Sequence, residues 1–391
     1  MRRHLTAGLV ALCSLAAAAP ASSERPRYST WMLDSIKARK QGVISSGAAS
    51  SYLETGILSI ALEAAIAQYP DLGDQYAPYL QDVLVSGTPT LVNATYAATR
   101  PLDRFSIANA VRGASRAGVV SVSATVSAAS IAIDESLPLQ ARNPEGGLWY
   151  YVYPQWSYLD GMFSVLPFMA SLPRPNYTDI GLQMTLLYEH CFQEATSLVV
   201  HGYDYSREAV WANEETGASP YVWGRSLGWF LAGLVQTWEA LDCPAGKPEA
   251  EPVCGRLRKM TTQLAASLVG FADPETGAWW QLTTFPGRSG NYLESSSTAL
   301  FVFSLLKGAR LGVLAGAAGV DFRAAALKAY DYAARSFVVD TGNGTIGYNK
   351  TVAVCSLNST ASYEYYTNQP LLPNSLLGES AFVLASLEVE R

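Results

Sequence analysis

The stretch from Tyr150 to Gly161, YYVYPQWSYLDG, places one carboxylate, Asp160, among Tyr151, Tyr153, Trp156 and Tyr158. An acid ringed by aromatics loses hydration. Desolvation raises a carboxyl pKa, which suits a group that must donate a proton near neutral pH. An aspartate just ahead of an apolar helical stretch equally fits an N-terminal cap, and at this level both readings stand. A second stretch, HGYDYSREAVWANEETGASPYVWGRSLGW, runs from His201 to Trp229 and sets Trp223, Arg225 and Trp229 near the start of a helix. The amino end of a helix carries partial positive charge, and a planar guanidinium beside indole suits a carboxylate or a sugar face. The same residues fit a core ion pair with packed tryptophans. Two further acids open helical segments: Asp103 in RPLDRFSIANAVRG and Glu294 in SGNYLESSSTALFVFSLLKGARLG. Each stands where a cap would.

Other chemistries are excluded by count or absence. Of 391 residues only 3 are His, one of them His4 near the start, so a HExxH zinc motif cannot be assembled, and no metal site is expected. A P-loop and paired CxxC motifs are absent, and no serine-hydrolase elbow of the GxSxG type is expected. With 27 Lys and Arg against 33 Asp and Glu, the net charge of −6 lacks the basic footprint of a nucleic-acid binder. Carboxylates are left to carry the chemistry.

The elements that must position these groups are helical. Apolar residues recur at three- and four-residue spacing over 51–69, 104–118, 157–171, 179–195, 221–241, 256–272, 292–314, 321–337 and 375–388, separated by short Gly, Pro, Asn and Asp stretches. The runs Leu148–Tyr153 and Trp279–Thr284 read as short strands or extended loops rich in aromatics. Hydrophobic residues make up 49%, enough for a large core, and no linker divides the chain. The pattern predicts a single all-α domain of about a dozen helices, a count that fits an (α/α)6 barrel of two concentric rings. A superhelical array would show a fixed-period repeat, and none is seen.

Residues 1–21 pair a basic start, Arg2 and Arg3, with an apolar run to Ala19 and a small residue at Ala21. They read as a signal peptide cleaved after Ala21, too short to span a bilayer, so a secreted protein with no membrane attachment is expected. Cleavage leaves 25 basic against 33 acidic residues, a net charge of −8. It also removes Cys13 and leaves Cys191, Cys243, Cys254 and Cys355, an even set suited to an oxidising compartment. The loop between Cys243 and Cys254 favours that pair as a disulfide worth roughly 3 kcal/mol. Cys191 and Cys355 would then pair by default. Glycosylation sequons at Asn93, Asn176, Asn343, Asn349 and Asn358 fit a secreted glycoprotein.

Taken in order, LDRFSIANAVRG, YLDGMFSVLPFMA, HGYDYSRE, SPYVWGRSLGW, NYLESSSTALFVFSLLKGARLG and LLGESAFVLASLE resemble glycoside hydrolase family 105, the unsaturated rhamnogalacturonyl hydrolases, related to the unsaturated glucuronyl hydrolases of family 88. The likeness spans most of the chain after the leader and implies the (α/α)6 barrel. It further implies an unsaturated pectic oligosaccharide as substrate, made by a lyase, with a 4,5-unsaturated galacturonic acid at its non-reducing end.

The implied reaction is hydration of a vinyl ether, with no metal or cofactor. Asp160 matches the family's general acid and base. Asp103 matches the second aspartate, which binds sugar hydroxyls and keeps the Asp160 pKa raised. His201, Arg225 and Trp229 match substrate-pocket residues, with Trp223, Tyr158 and Trp156 around them. Tyr158 departs from the family pattern, where many relatives carry Trp, and puts finer substrate preference in doubt. The alternatives are an unsaturated glucuronyl hydrolase acting on ulvan or glycosaminoglycan-like fragments, and a carbohydrate-binding protein that has lost turnover.

Overall fold

The computed structural model describes residues 26–44, 46–118, 123–315 and 319–391. The leader expected over residues 1–21 lies outside the described residues.

Twelve helices of nine or more residues and two short ones follow one another: α1 (Tyr28–Ala38), α2 (Ser51–Gln68), α3 (Gly73–Gly87), α4 (Ala94–Ala98), α5 (Arg104–Arg116), α6 (Ala124–Ser136), α7 (Met162–Ala170), α8 (Tyr177–Cys191), α9 (Gly224–Ala240), α10 (Glu251–Gly270), α11 (Ser295–Arg310), α12 (Phe322–Ser336), α13 (Tyr363–Thr367) and α14 (Leu376–Val389). Helices α2, α5, α7, α9, α11 and α14 each pack on the next, and α14 packs back on α2, closing a ring of six. Around it α3, α6, α8, α10 and α12 each pack on the inner helix that precedes them, and α1 packs on α14. This is an (α/α)6 barrel.

Residue pattern sets an inner helix such as α7 apart from an outer one such as α10. All nine residues of α7, MFSVLPFMA, are buried, as expected of a helix that is apolar all round. In α10 the buried residues Val253, Leu257, Met260, Leu264 and Leu268 form one stripe, while Arg256 and Lys259 face water. Where α7 and α9 meet, a Cβ on Gly233 would lie 2.5 Å from the Met162 carbonyl oxygen, so only glycine allows the two backbones to approach.

Strands are short pairs in the connections: β1 (Trp156–Tyr158) with β4 (Gly202–Asp204), β2 (Phe192–Gln193) with β3 (Leu198–Val199), β5 (Val338–Asp340) with β6 (Ile346–Tyr348), and β7 (Thr351–Val352) with β8 (Leu371–Leu372), all antiparallel. The β1 pairing, with Tyr158 opposite Gly202, explains why the helix expected from residue 157 begins at Met162. The runs 148–153 and 279–284 are irregular and touch neighbours through isolated bridges such as Trp223 to Leu282. Helices α1, α3 and α6 were not legible in the periodicity. Helix α3 carries an internal Pro78, and α6 is built mostly of Ala, Ser and Ile with weak polar contrast.

Cys243 and Cys254 are bonded, closing the turn between α9 and α10. Cys191 and Cys355, expected to pair by default, are both free and buried. Pairing by elimination treats the chain as if any two thiols could meet. Cys191 ends α8 in the outer ring, whereas Cys355 borders the central cavity, and a disulfide needs α-carbons within about 7 Å.

Candidate active site

A cavity of about 380 Å³ opens at one end of the barrel. Its walls come from the segments that lead into the inner helices: Ser50 to Leu53 at α2, Arg100 to Asp103 before α5, Tyr150 to Asp160 before α7, Trp223 and Arg225 at α9, and Leu377 at α14. The positive ends of these inner helices therefore converge on it. Asp103, Asp160, Trp223, Arg225 and Trp229 are buried and form the floor, whereas Arg100, Tyr151 and Tyr153 are partly exposed and form the rim.

Neither aspartate spends its side chain on a cap. Asp103 occupies the position before α5 without a capping bond, and the position before α7 is Gly161. Glu294 does cap, accepting from the Ser297 amide of α11. On Asp160 the contacts gather at Oδ2, which accepts from the Ser226 hydroxyl and lies 3.3 Å from His201 Nε2. That leaves Oδ1 as the oxygen free to meet a ligand. His201 is in turn fixed through Nδ1, 2.8 Å from the Tyr366 hydroxyl.

Asp103 Oδ2 accepts from the Tyr150 hydroxyl at 2.9 Å, while Oδ1 is buried and has no partner. Burial pushes the Asp103 carboxyl up to about 7; the Tyr150 hydrogen bond works against that rise and the charge of nearby Asp160 adds to it. Burial also holds the Tyr150 phenol well above its ordinary range, so it remains a donor. Its ring stacks on Tyr158 at 4.4 Å, making one aromatic wall beside both acids.

Arg225 matches neither simple expectation. Fully buried, it donates through Nη1 to the Val352 carbonyl and the Ser296 hydroxyl and through Nη2 to the Ala353 carbonyl, and it lies 4.9 Å from the Trp223 ring. Among the described residues no carboxylate contacts it directly; Ser296 relays it to Glu294, which accepts from the Val352 amide. Arg225 and Glu294 thus grip one backbone unit from its two sides and hold the Val354 to Ser356 wall in place. Only Nε of Arg225 is left without a partner.

Of the other expected substrate contacts, Trp229, Trp223 and Tyr158 border the cavity. His201 stands behind Asp160, and Trp156 stands behind Tyr153 at 5.2 Å, packed against Trp211, so neither reaches the cavity wall. Contrary to the expectation of no GxSxG pattern, Ser226 sits in GRSLG, the spacing of a nucleophile elbow. Here it lies inside α9 with its hydroxyl given to Asp160 and serves to orient that acid. The wall at 354–356 carried no sequence signal. Among the described residues no group of His, Cys, Asp or Glu is arranged to hold a metal ion, and no helix is long and apolar enough to cross a membrane.

Residues 123–391 match the family model Glycosyl Hydrolase Family 88. Protein Atu3128 of Agrobacterium fabrum is 40% identical over 123 residues, 32% of this chain and 49% of that protein. The same figures hold for the 24.9 kDa protein in the picA locus of Rhizobium radiobacter, so the chain spans about half the length of the curated relatives it matches. Among solved structures, a family 105 glycoside hydrolase of C. acetobutylicum superposes with a TM-score of 0.80 at 26% identity, covering 93% of this chain and 99% of that one. The unsaturated glucuronyl hydrolase of Bacillus sp. GL1 superposes at 0.60 and 12% identity, covering 89% and 88%, a likeness of fold.

Proposed function

The chain belongs to glycosyl hydrolase family 88, and on that premise we propose that it removes the 4,5-unsaturated galacturonyl residue from the non-reducing end of rhamnogalacturonan oligosaccharides. The observation that carries this reading is the pair of buried aspartates on the cavity floor, one oriented through Oδ2 and the other with an unpartnered oxygen.

In this reading Asp160, protonated, gives its proton to carbon 4 of the double bond. Positive charge then develops at carbon 5 and the ring oxygen. The Asp160 carboxylate takes a proton from water as the hydroxyl adds to carbon 5, and the resulting hemiketal opens and releases the remaining sugar. One acid serves both halves because the proton goes to carbon; ordinary glycosidases need two carboxylates flanking the bond. Asp103, which borders the cavity, binds a sugar hydroxyl. Ser226 orients Asp160 through its hydroxyl, and His201 stands behind that acid, neither touching the substrate.

A chain of net charge −8 after leader removal must still attract an anionic sugar. The converging helix termini and the Arg225 guanidinium, unpaired with any carboxylate, supply local positive potential. Action outside the cell is part of the proposal, supported by the leader-like residues 1–21, the Cys243–Cys254 bond and exposed sequon asparagines 93, 176, 343 and 358.

Incubation with lyase-treated rhamnogalacturonan should bleach the ultraviolet band of the conjugated double bond. Stable absorbance with rhamnogalacturonan products, alongside bleaching of unsaturated glucuronyl disaccharides, moves the substrate to the glucuronyl class. Stable absorbance with both, together with tight binding, makes the protein a carbohydrate binder.

A further inference from the structure

The cavity wall holds two arginines in opposite situations. Arg225 is buried and its terminal nitrogens hold backbone carbonyls. Arg100 sits on the rim with its guanidinium 4.7 Å from the Tyr96 ring and 5.9 Å from the Tyr151 ring. Its hydrogen bonds go to the neighbouring Thr99 hydroxyl alone, and among the described residues no carboxylate pairs with it. Tyr151 meets Tyr153 edge to face at 5.3 Å, and both rings border the cavity beside Arg100. Arg100 and Asp103 are three positions apart, so their α-carbons lie within roughly 11 Å. A cation flanked by aromatic rings at that remove from the floor can read a sugar bound further along the chain.

We propose that Arg100, with Tyr151 and Tyr153, forms a subsite for the carboxylate of the second uronate along the substrate, so that longer fragments are preferred. The inference rests on the proposed rhamnogalacturonan substrate, whose backbone alternates galacturonate and rhamnose. With the unsaturated residue on the floor, rhamnose comes next and the following galacturonate brings its carboxylate to the rim. The tyrosine faces stack on the sugars, and the planar guanidinium pairs with the carboxylate through two parallel hydrogen bonds. A partly exposed pair gives a modest, salt-sensitive gain.

The experiment compares KM for the unsaturated disaccharide and tetrasaccharide by loss of ultraviolet absorbance. The tetrasaccharide KM should be about three- to fivefold lower at low salt. That advantage should vanish in high salt and in Arg100→Gln, and largely survive in Arg100→Lys. Equal KM values in the unaltered enzyme, a preference that persists in Arg100→Gln, or a disaccharide KM that rises as much as the tetrasaccharide KM would each overturn the subsite. Calorimetric titration with a saturated galacturonate–rhamnose tetrasaccharide separates this from the substrate reading. If the unaltered enzyme turns over neither substrate yet binds this sugar more tightly than Arg100→Gln does, the subsite stands and the substrate reading falls. Equal binding by both sinks the subsite.

Discussion

Two buried carboxyls in different regions reach the same pKa, about 7, for the same first reason, removal from water. One is Asp103 on the cavity floor; the other is Glu379 on α14, where that helix meets the end of α1. Glu379 is fully partnered: Oε1 accepts from Arg39 and Oε2 from Gln41 at 2.9 Å. Asp103 has one phenol on Oδ2 and nothing on Oδ1, and it faces a cavity. An elevated pKa therefore marks burial in both places and a site in only one. What distinguishes the site is that Asp103 borders the cavity and carries an oxygen with no partner, at the cost of an unsatisfied group.

The largest expected effect lies beside Asp103. Asp160→Asn keeps the shape and removes the proton, so kcat should fall by at least about 10²-fold while oligosaccharide binding measured by calorimetry survives. Near-normal turnover would remove Asp160 from its role.

Asp103→Asn comes next. A carboxyl whose folded pKa is raised above its unfolded value binds more protons in the folded state, so stability falls as pH rises from the ordinary carboxyl range to about 7. The amide cannot ionise. The variant should be more stable than the parent at neutral pH by on the order of a few kcal/mol, with the gain fading towards pH 4, as followed by urea titration. Its kcat/KM should drop, as followed by loss of ultraviolet absorbance. A variant less stable at neutral pH would contradict the open-valence picture.

The smallest effect on activity belongs to the seam between α1 and α14. Arg39→Ala leaves Glu379 with Gln41 alone and should cost on the order of 1–3 kcal/mol, more above pH 7, where Glu379 must ionise without its counter-charge, than below it. Turnover should be unaffected, and a large loss of kcat would erase the distinction between the two regions.

Much of the fold and part of the site could be read from residue order. The inner helix α7 announces itself as a segment apolar on every side, and all nine expected helices exist with shifted ends. Asp103, Asp160, Trp223 and Trp229 do line one cavity. Nearness in sequence is not nearness in space. Trp156 and His201 lie near the acid in sequence or motif, yet neither borders the cavity: Trp156 packs against Tyr153 and Trp211, and His201 stands behind Asp160. The free thiols Cys191 and Cys355 show the same limit, because an even count of cysteines says nothing of where each one lies.

Sequence alone determined the helical period, the motifs that identify the family, and the acids available for proton transfer, since each is a property of residue type at short spacing. Only the tertiary structure decided which acid is left open, which arginine holds the wall and which stands on the rim. Those outcomes depend on bonds between residues 47, 66 and 127 positions apart: Tyr150 to Asp103, Ser226 to Asp160, and Arg225 to Val352. Closure of a six-helix ring sets those pairings, and no local propensity encodes them.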